Sequence, residues 1–318
     1  MPSQHSPRLL ALSFFAVLLA ACAPGYEESD EEEDESAEAE NAITDDVRFD
    51  VITHNIAGGM LNFGRVDALD YVEQQIAEAR PDVVMLQEVC QTQADAFRAS
   101  HPAWAVEFRV TRENHPKCGP LGHLLASHHG LYDVTETDLG HADPGKKVTL
   151  LCGEVSFEKR KGNVRVCSTH LVSRGEDPVD SDRRRALEVE ALVATLNPIA
   201  NSGKAVVFAG DLNSGPRKNL LDPIYRLKRN GNWGGGLFDE ADQTDPRREQ
   251  FLDDGVACAP GACRSGEPTH DNSKLDHIFF SNNRISGEID GRVLGKGKSD
   301  HNLYRGSAIL HLPKKKKN

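Results

Sequence analysis

Past residue 21 the chain has no apolar run long enough to cross a bilayer, which excludes a membrane-spanning segment in its body. It also has no surplus of positive charge. Its 37 Lys+Arg stand against 49 Asp+Glu, a formal net charge of −12. A nucleic-acid clamp that binds chiefly through excess basic charge is therefore excluded. No GxGxxG fingerprint, P-loop or GxSxG elbow stands where those chemistries need one. No CxxC pair is matched by a second, so a cysteine zinc site is disfavoured. There is no internal repeat of the kind that builds a solenoid.

What the chain does have begins with an address. Arg8 precedes an apolar stretch, Leu9 to Leu19, followed by the small residues Ala20 and Ala21. That is the layout of a secretory signal, expected over residues 1–21. Leu19-Ala20-Ala21-Cys22 also resembles a bacterial lipobox, with Cys22 as the lipid-modified first residue of the mature protein. The other reading is an ordinary cleaved signal. Residues 22–42 read as a disordered acidic tether, because Glu27 to Glu40 is a run of like charges with almost nothing to bury. Residues 43–313 read as one catalytic domain, and Lys314–Lys317 belong to a short basic tail at 314–318. Its 38% hydrophobic content is diluted by these polar ends, so the body is patterned enough to fold.

Seven cysteines is an odd number, and setting Cys22 aside for lipid leaves six in an exported chain. Cys152 and Cys167 flank a turn at Lys161-Gly162-Asn163, Cys258 and Cys263 close a short loop, and Cys90 is left with Cys118. Six cysteines allow fifteen pairings, so other connectivities stay open.

Apolar periodicity places strands at Val47–Thr53, Asp82–Leu86, His123–Ala126, Val148–Phe157, Val164–Leu171, Ala205–Ala209, Leu275–Phe280 and Ser307–Leu312. A helix is expected over Arg65–Ala79, with Val66, Leu69, Val72 and Ile76 on its buried face. A second is expected from Asp182 to Leu196, ending at Asn197-Pro198. Asn230–Gly236 is a glycine-rich loop and Asp242–Asn272 a long irregular excursion. The alternation implies a layered α/β or α+β domain.

The chemistry lies in polar residues at the ends of these strands, where a buried strand delivers its last side chain to the rim of a sheet. In order they are Asn55, Glu88, His170, Asp211 with Asn213, Asp276, and Asp300 with His301. Asn55, Glu88, Asp211, Asn213 and Asp300 offer oxygen donors, which suit Mg²⁺, Mn²⁺ or Ca²⁺ rather than zinc or copper. Two histidines with a carboxylate partner suit acid–base work near neutral pH. An oxygen-ligated cation beside an imidazole is matched to phosphoester hydrolysis.

This ordered set resembles the endonuclease/exonuclease/phosphatase superfamily, the group of deoxyribonuclease I, exonuclease III-type enzymes and neutral sphingomyelinases. The resemblance covers about residues 47–312. It implies a four-layer α/β sandwich, two packed mixed β-sheets flanked by helices. It implies that Asn55, Glu88 and Asp300 serve the metal, with Glu88 the most direct ligand. It gives Asp211 and Asn213 to the phosphate and nucleophile, His301 to water activation, Asp276 to orienting His301, and His170 to acid catalysis or phosphate stabilisation. Exonuclease III-type members carry a tyrosine where this chain has His170, so the resemblance is to the deoxyribonuclease I and sphingomyelinase branches. No counterpart is found for the glutamate that pairs with that histidine in deoxyribonuclease I.

The expected protein is thus an exported, envelope-anchored and monomeric hydrolase using Mg²⁺, or Mn²⁺ or Ca²⁺. Nucleic acid is the favoured substrate. Sphingomyelin or a phosphoinositide is the alternative, and a catalytically silent lipoprotein that binds a phosphate-bearing partner is the rival of another class. Membrane contact is expected only through Cys22. Arg183, Arg184 and Arg185 read as the exposed start of a helix, and Trp233 as a packing residue rather than a membrane-dipping one. His54, His123, His128, His129 and His277 read as structural or exposed, although His123 lies in a segment, Gly122–Ser127, that resembles one bordering the family's cleft.

Overall fold

A computed structural model describes residues 45–157, 162–227, 235–243 and 264–312. All lie in one compact unit, Ala42–Asn318. Cys22, Trp233, Cys258 and Cys263 fall outside the described residues. No described helix is long and apolar enough to cross a membrane.

The strands are β1 (Asp45–Asn55), β2 (Val83–Cys90), β3 (Ala105–His115), β4 (Gly119–Ser127), β5 (Tyr132–Asp138) and β6 (Thr149–Ser156). They continue with β7 (Asn163–His170), β8 (Ala205–Asp211), β9 (Phe238–Glu240), β10 (Asp276–Ser281), β11 (Ile285–Val293) and β12 (Tyr304–Leu312). The α-helices are α1 (Asp70–Ala79), α2 (Gln91–Ser100) and α3 (Pro178–Asn201). One six-stranded sheet has the order β11-β12-β1-β2-β4-β3 and the other β5-β6-β7-β8-β10-β9. Each is antiparallel except at one central pair, β1/β2 in the first and β7/β8 in the second. Each pair is joined by a helical crossover, α1 or α3, as parallel neighbours require.

Side-chain alternation sorts the core into layers. Along β1, β2 and β8, Val47, Phe49, Val51, Val83, Met85, Val207 and Ala209 point between the sheets. The intervening Ile52, Val84 and Leu86 pack under α1 and α2. Val206 and Phe208 pack under α3 with Val189, Leu192 and Leu196. A period of two gives each central strand two apolar faces, so both sheets are covered on both sides. The result is the four-layer sandwich expected.

Several local expectations need correction. The first helix opens as a 3₁₀ turn at Val66–Leu69, which turns Val66 outward to 49% exposure while Leu69, Val72 and Ile76 stay buried. The second starts four residues earlier than expected, at Pro178, whose fixed φ suits the first helical position. Asp177 caps it by accepting Val179 N–H at 2.9 Å and Asp180 N–H at 3.2 Å. It also runs through Pro198 to Asn201, because a proline in the last turn forfeits only one helical bond. Arg185 is buried rather than exposed, and its Nη1 donates to Val172 O at 2.9 Å. Arg184 reaches His141 O at 2.7 Å, which leaves Arg183 as the exposed member of the three. The disulfides Cys90–Cys118 and Cys152–Cys167 are formed, the second between directly paired residues of β6 and β7.

Glu188 of α3 sits beside Arg185 and accepts Val172 N–H at 2.9 Å. Burial pushes its carboxyl up to about 7 from an ordinary 4.5, against the pull of that N–H and of Arg184 and Arg185. The folded chain therefore holds this proton more tightly than the unfolded one. Stability falls as pH rises from about 4.5 through about 7, by roughly 3 kcal/mol at most. Glu188→Gln is expected to remove that decline and to raise stability at pH 8. Urea melts at pH 5 and pH 8 check it, and an equal change at both pH values would refute the assignment.

Candidate active site

The parallel pairs deliver their carboxyl ends to one edge of the sandwich. In β1/β2 Asn55 lies opposite Gln87, and in β7/β8 His170 lies opposite Asp211. β10 runs antiparallel to β8, so its first residue, Asp276, meets Asp211. β12 runs antiparallel to β1, so the loop carrying Asp300 and His301 reaches the same edge.

Local backbone geometry aims the side chains. Between Leu86 and Val89 the β2–β4 register shifts, and Glu88 takes φ 54° there, which re-aims it at the rim. Asn213 takes φ 50°, a region asparagine tolerates. Gly210 has φ 147°, and a Cβ on it would lie 1.9 Å from Thr169 O. Only glycine lets β8 pass that close to β7 just before Asp211.

Asp211 is the hub. It is buried, and its Oδ2 accepts Asn55 Nδ2 at 3.1 Å. The same oxygen lies 3.4 Å from His170 Nε2 and 3.6 Å from His301 Nε2. Its Oδ1 accepts the Asn213 N–H at 2.8 Å, while Asn213 Nδ2 donates to Leu171 O at 3.0 Å. His170 thus turns Nε2 toward Asp211, and no described residue takes the place of the glutamate that pairs with this histidine in deoxyribonuclease I. Across the sheets Asn55 Nδ2 also donates to Glu88 Oε1 at 3.1 Å.

His301 Nδ1 lies 2.8 Å from Asp276 Oδ2. Both ring nitrogens therefore face carboxylate oxygens, which only accept, and the ring is held as an imidazolium. Burial opposes that charge, but Asp276, Asp211 and Asp300 outweigh it and push the group up to about 10. Burial raises the carboxyl of Asp276, yet the His301 charge and hydrogen bond bring it below its ordinary value. Burial first, and then the Asp276 charge, raise Asp211.

Asp300 is half exposed, with Oδ2 3.7 Å from His270 Nε2. The His270 ring stacks obliquely on His301 at 4.5 Å. His270 belongs to the segment that reads in sequence as an irregular excursion. Ser299, which the sequence does not single out, donates its Oγ–H to Asn55 O at 2.6 Å and accepts His301 N–H at 3.1 Å. Asn62 Nδ2 donates to Ile56 O at 2.9 Å and to Lys298 O at 3.2 Å. His54 Nε2 donates to His301 O at 3.0 Å and burial pushes its ring down to about 4, so it supports the loop as a neutral group. The polar residue directly beside Asp300-His301 was the available signal for Ser299. The other partners lie too far away in sequence to be read.

Two cavities flank the hub. One, about 330 Å³, is lined by Glu88, His123, His170, Arg112 and Lys147. The other, about 520 Å³, is lined by Asn213, His301, His270, Arg174 and Lys218. His123 is buried, its ring centre 6.3 Å from that of His170, and burial and then the His170 charge push it down to about 3. Glu88 Oε1 and Asp211 Oδ2 each lie 3.1 Å from Asn55 Nδ2, so two carboxylates approach one place, while Asn55 Oδ1 accepts the Ala57 N–H at 3.0 Å. That chemistry fits a hard divalent cation.

The sequence matches the Endonuclease/Exonuclease/phosphatase family over residues 52–301. The chain belongs to that family. As a member it is a hydrolase of phosphoester bonds. No curated protein matches the sequence. Solved structures share the fold at low identity. The human Nocturnin catalytic domain with bound sulfate is 17% identical, with a TM-score of 0.59 over 84% of this chain and 98% of its own. An endonuclease/exonuclease/phosphatase family protein from Bacteroides thetaiotaomicron is 12% identical, with a TM-score of 0.58 over 84% and 100%. TDP2 from D. rerio, complexed with a single-strand DNA product, is 15% identical, with a TM-score of 0.54 over 82% and 99%.

Gly210→Ala is expected to push Thr169 O away and displace both His170 and Asp211. Phosphodiester turnover should fall about a hundredfold or more, with a loss of roughly 2 kcal/mol in stability. Gly215→Ala, whose Cβ would meet nothing within 4 Å, should leave stability unchanged. Wild-type turnover in Gly210→Ala would refute the role given to this glycine.

Proposed function

We propose that the protein is a divalent-metal-dependent phosphodiesterase that cleaves nucleic acid. The observation that carries this reading is the convergence of Asn55, His170 and His301 on Asp211 Oδ2. His301, held as an imidazolium by Asp276 at Nδ1, donates one charge-assisted hydrogen bond from Nε2 to a phosphate oxygen. His170 Nε2, which approaches the same Asp211 oxygen, serves a second phosphate oxygen or the leaving oxygen. Asp211, with its carboxyl raised and oriented by the Asn213 N–H, takes the proton of the attacking water. This gives the base to Asp211 and leaves His301 the charged donor, a change from the water-activating role the resemblance implies. A cation held by Glu88, with Asn55 turned to offer its amide oxygen and Asp300 as a further carboxylate, would neutralise charge on the phosphate and leaving oxygens. Mg²⁺ is the first candidate, and Mn²⁺ and Ca²⁺ suit the same donors.

Nucleic acid is supported by the cations at the cavity rims. Arg112 and Lys147 on one side and Arg174 and Lys218 on the other offset the acidic balance locally. The shared fold of D. rerio TDP2 with its single-strand DNA product agrees. A second reading, a phospholipid phosphodiester, has its own observation. Met60, Leu61, Phe63 and Val66 are exposed on one short stretch, and Met60 lines the Glu88 cavity.

Plasmid nicking by the purified protein tests both. Nicking with Mg²⁺ that chelator abolishes, and that His301→Ala lowers roughly a hundredfold or more, is the expected result. Intact plasmid together with headgroup release from sphingomyelin or phosphoinositide vesicles would move the substrate to lipid. Intact DNA and intact lipid with every metal would favour the non-catalytic lipoprotein.

The same reading has the monomeric protein exported and anchored in the cell envelope through lipidated Cys22. Labelled fatty acid should enter the wild-type chain in cells and fail to enter Cys22→Ala.

A further inference from the structure

We propose that Asp82, His128 and His129 form a second metal site, for a borderline cation such as Zn²⁺ or Cu²⁺, remote from the catalytic edge. Asp82 directly precedes β2, and the two histidines directly follow β4. Val83 pairs with Ser127, so the antiparallel register brings the three side chains together at the far end of the sheet. Glu88 lies six positions beyond Asp82 along the strand, about 20 Å at ~3.3 Å per residue.

One ligand atom from each residue lies within 4.8 Å of the other two. The groups that would orient them are already in place. His128 Nδ1 lies 3.2 Å from Pro81 O. A carbonyl only accepts, so Nδ1 carries the proton and Nε2 keeps its lone pair. A metal-ligating histidine is commonly held by just such a bond to a backbone carbonyl. Asp82 Oδ2 accepts Asp50 N–H at 2.7 Å, which fixes the carboxylate and leaves Oδ1 facing His129 Nε2 at 2.7 Å. The His129 ring packs on Phe157 at 4.4 Å, and the His129 backbone N–H donates to Ser127 Oγ at 3.1 Å. A cation entering between Asp82 Oδ1 and His129 Nε2 takes the place of the proton they share, and that proton leaves to solvent.

The donor chemistry sets the ion. Two imidazole nitrogens and one carboxylate oxygen favour Zn²⁺, Ni²⁺ or Cu²⁺, whereas the oxygen-rich catalytic edge favours Mg²⁺. Three protein ligands at a partly exposed place leave room for water in the coordination sphere. The site therefore takes a cation the reaction does not use.

Trp104 supplies the readout, because its ring centre is 5.5 Å from that of His128. Trp233→Phe leaves Trp104 as the only tryptophan of the chain's two. In that protein, without a histidine tag and in millimolar Mg²⁺, Cu²⁺ should quench fluorescence saturably, and Zn²⁺ should compete. Adding His128→Ala and His129→Ala should weaken the midpoint at least tenfold. His101→Ala should leave it unchanged, although His101 also touches Trp104 at 4.9 Å. Absence of saturable quenching before any histidine is changed would overturn the proposal, as would loss through His101→Ala. An unchanged midpoint in the folded double variant would overturn it as well.

Discussion

Two buried carboxylates set side by side are the constraint on which the catalytic edge depends. Asp211 and Asp276 face each other across β8 and β10 with no appreciable exposure. Neither can stay ionised there without a compensating charge. His301 supplies it, touching Asp276 at 2.8 Å and approaching Asp211 at 3.6 Å. The loop that carries His301 must therefore be held firmly, which gives Ser299, His54 and Asn62 their purpose. Each bonds a backbone group of that loop or of the segment after β1.

The layered fold makes this arrangement affordable in structural terms. Each sheet has one parallel pair bridged by a helix, and both pairs end at the same edge. Side chains at strand ends inherit the rigidity of a doubly covered core. α3 extends that rigidity past β7, since Arg185 and Glu188 grip both backbone groups of Val172, two residues beyond His170.

The central strands were legible in the sequence and the outer ones were not. β1, β2, β4, β6, β7, β8, β10 and β12 carry apolar runs because neighbours cover them. β3, β5, β9 and β11, the outermost strands of the two sheets, were missed. β5 and β11 bury almost nothing, so they show no alternation to read, and β9 is only three residues long. α2, capped through Cys90 and Gln93, was missed as well. Every residue of the candidate set sits in or at the end of a strand, in a turn next to one, or in the loop before β12, so types and order were enough to single it out. Its supports were hidden because Ser299 lies 244 residues from Asn55, and Asn62 lies 236 from Lys298. The proton balance of His301 was hidden for a similar reason, since besides its neighbour Asp300 it depends on Asp211 and Asp276, which meet it only in space.

Beneath the catalytic edge, Gln87 Nε2 donates to Thr53 Oγ1 at 3.2 Å in its own sheet and to Ser168 Oγ at 3.1 Å in the other. Around it the facing surfaces are aliphatic and aromatic, and their side chains interlock at close packing. That interlocking resists sliding, but it does not single out a polar atom as the point of reference. A directional amide between the sheets acts as a dowel. It contributes little to how tightly the halves adhere and much to where they come to rest. Asn55 and Asp211 belong to different sheets, so the reach of one to the other is set by that dowel.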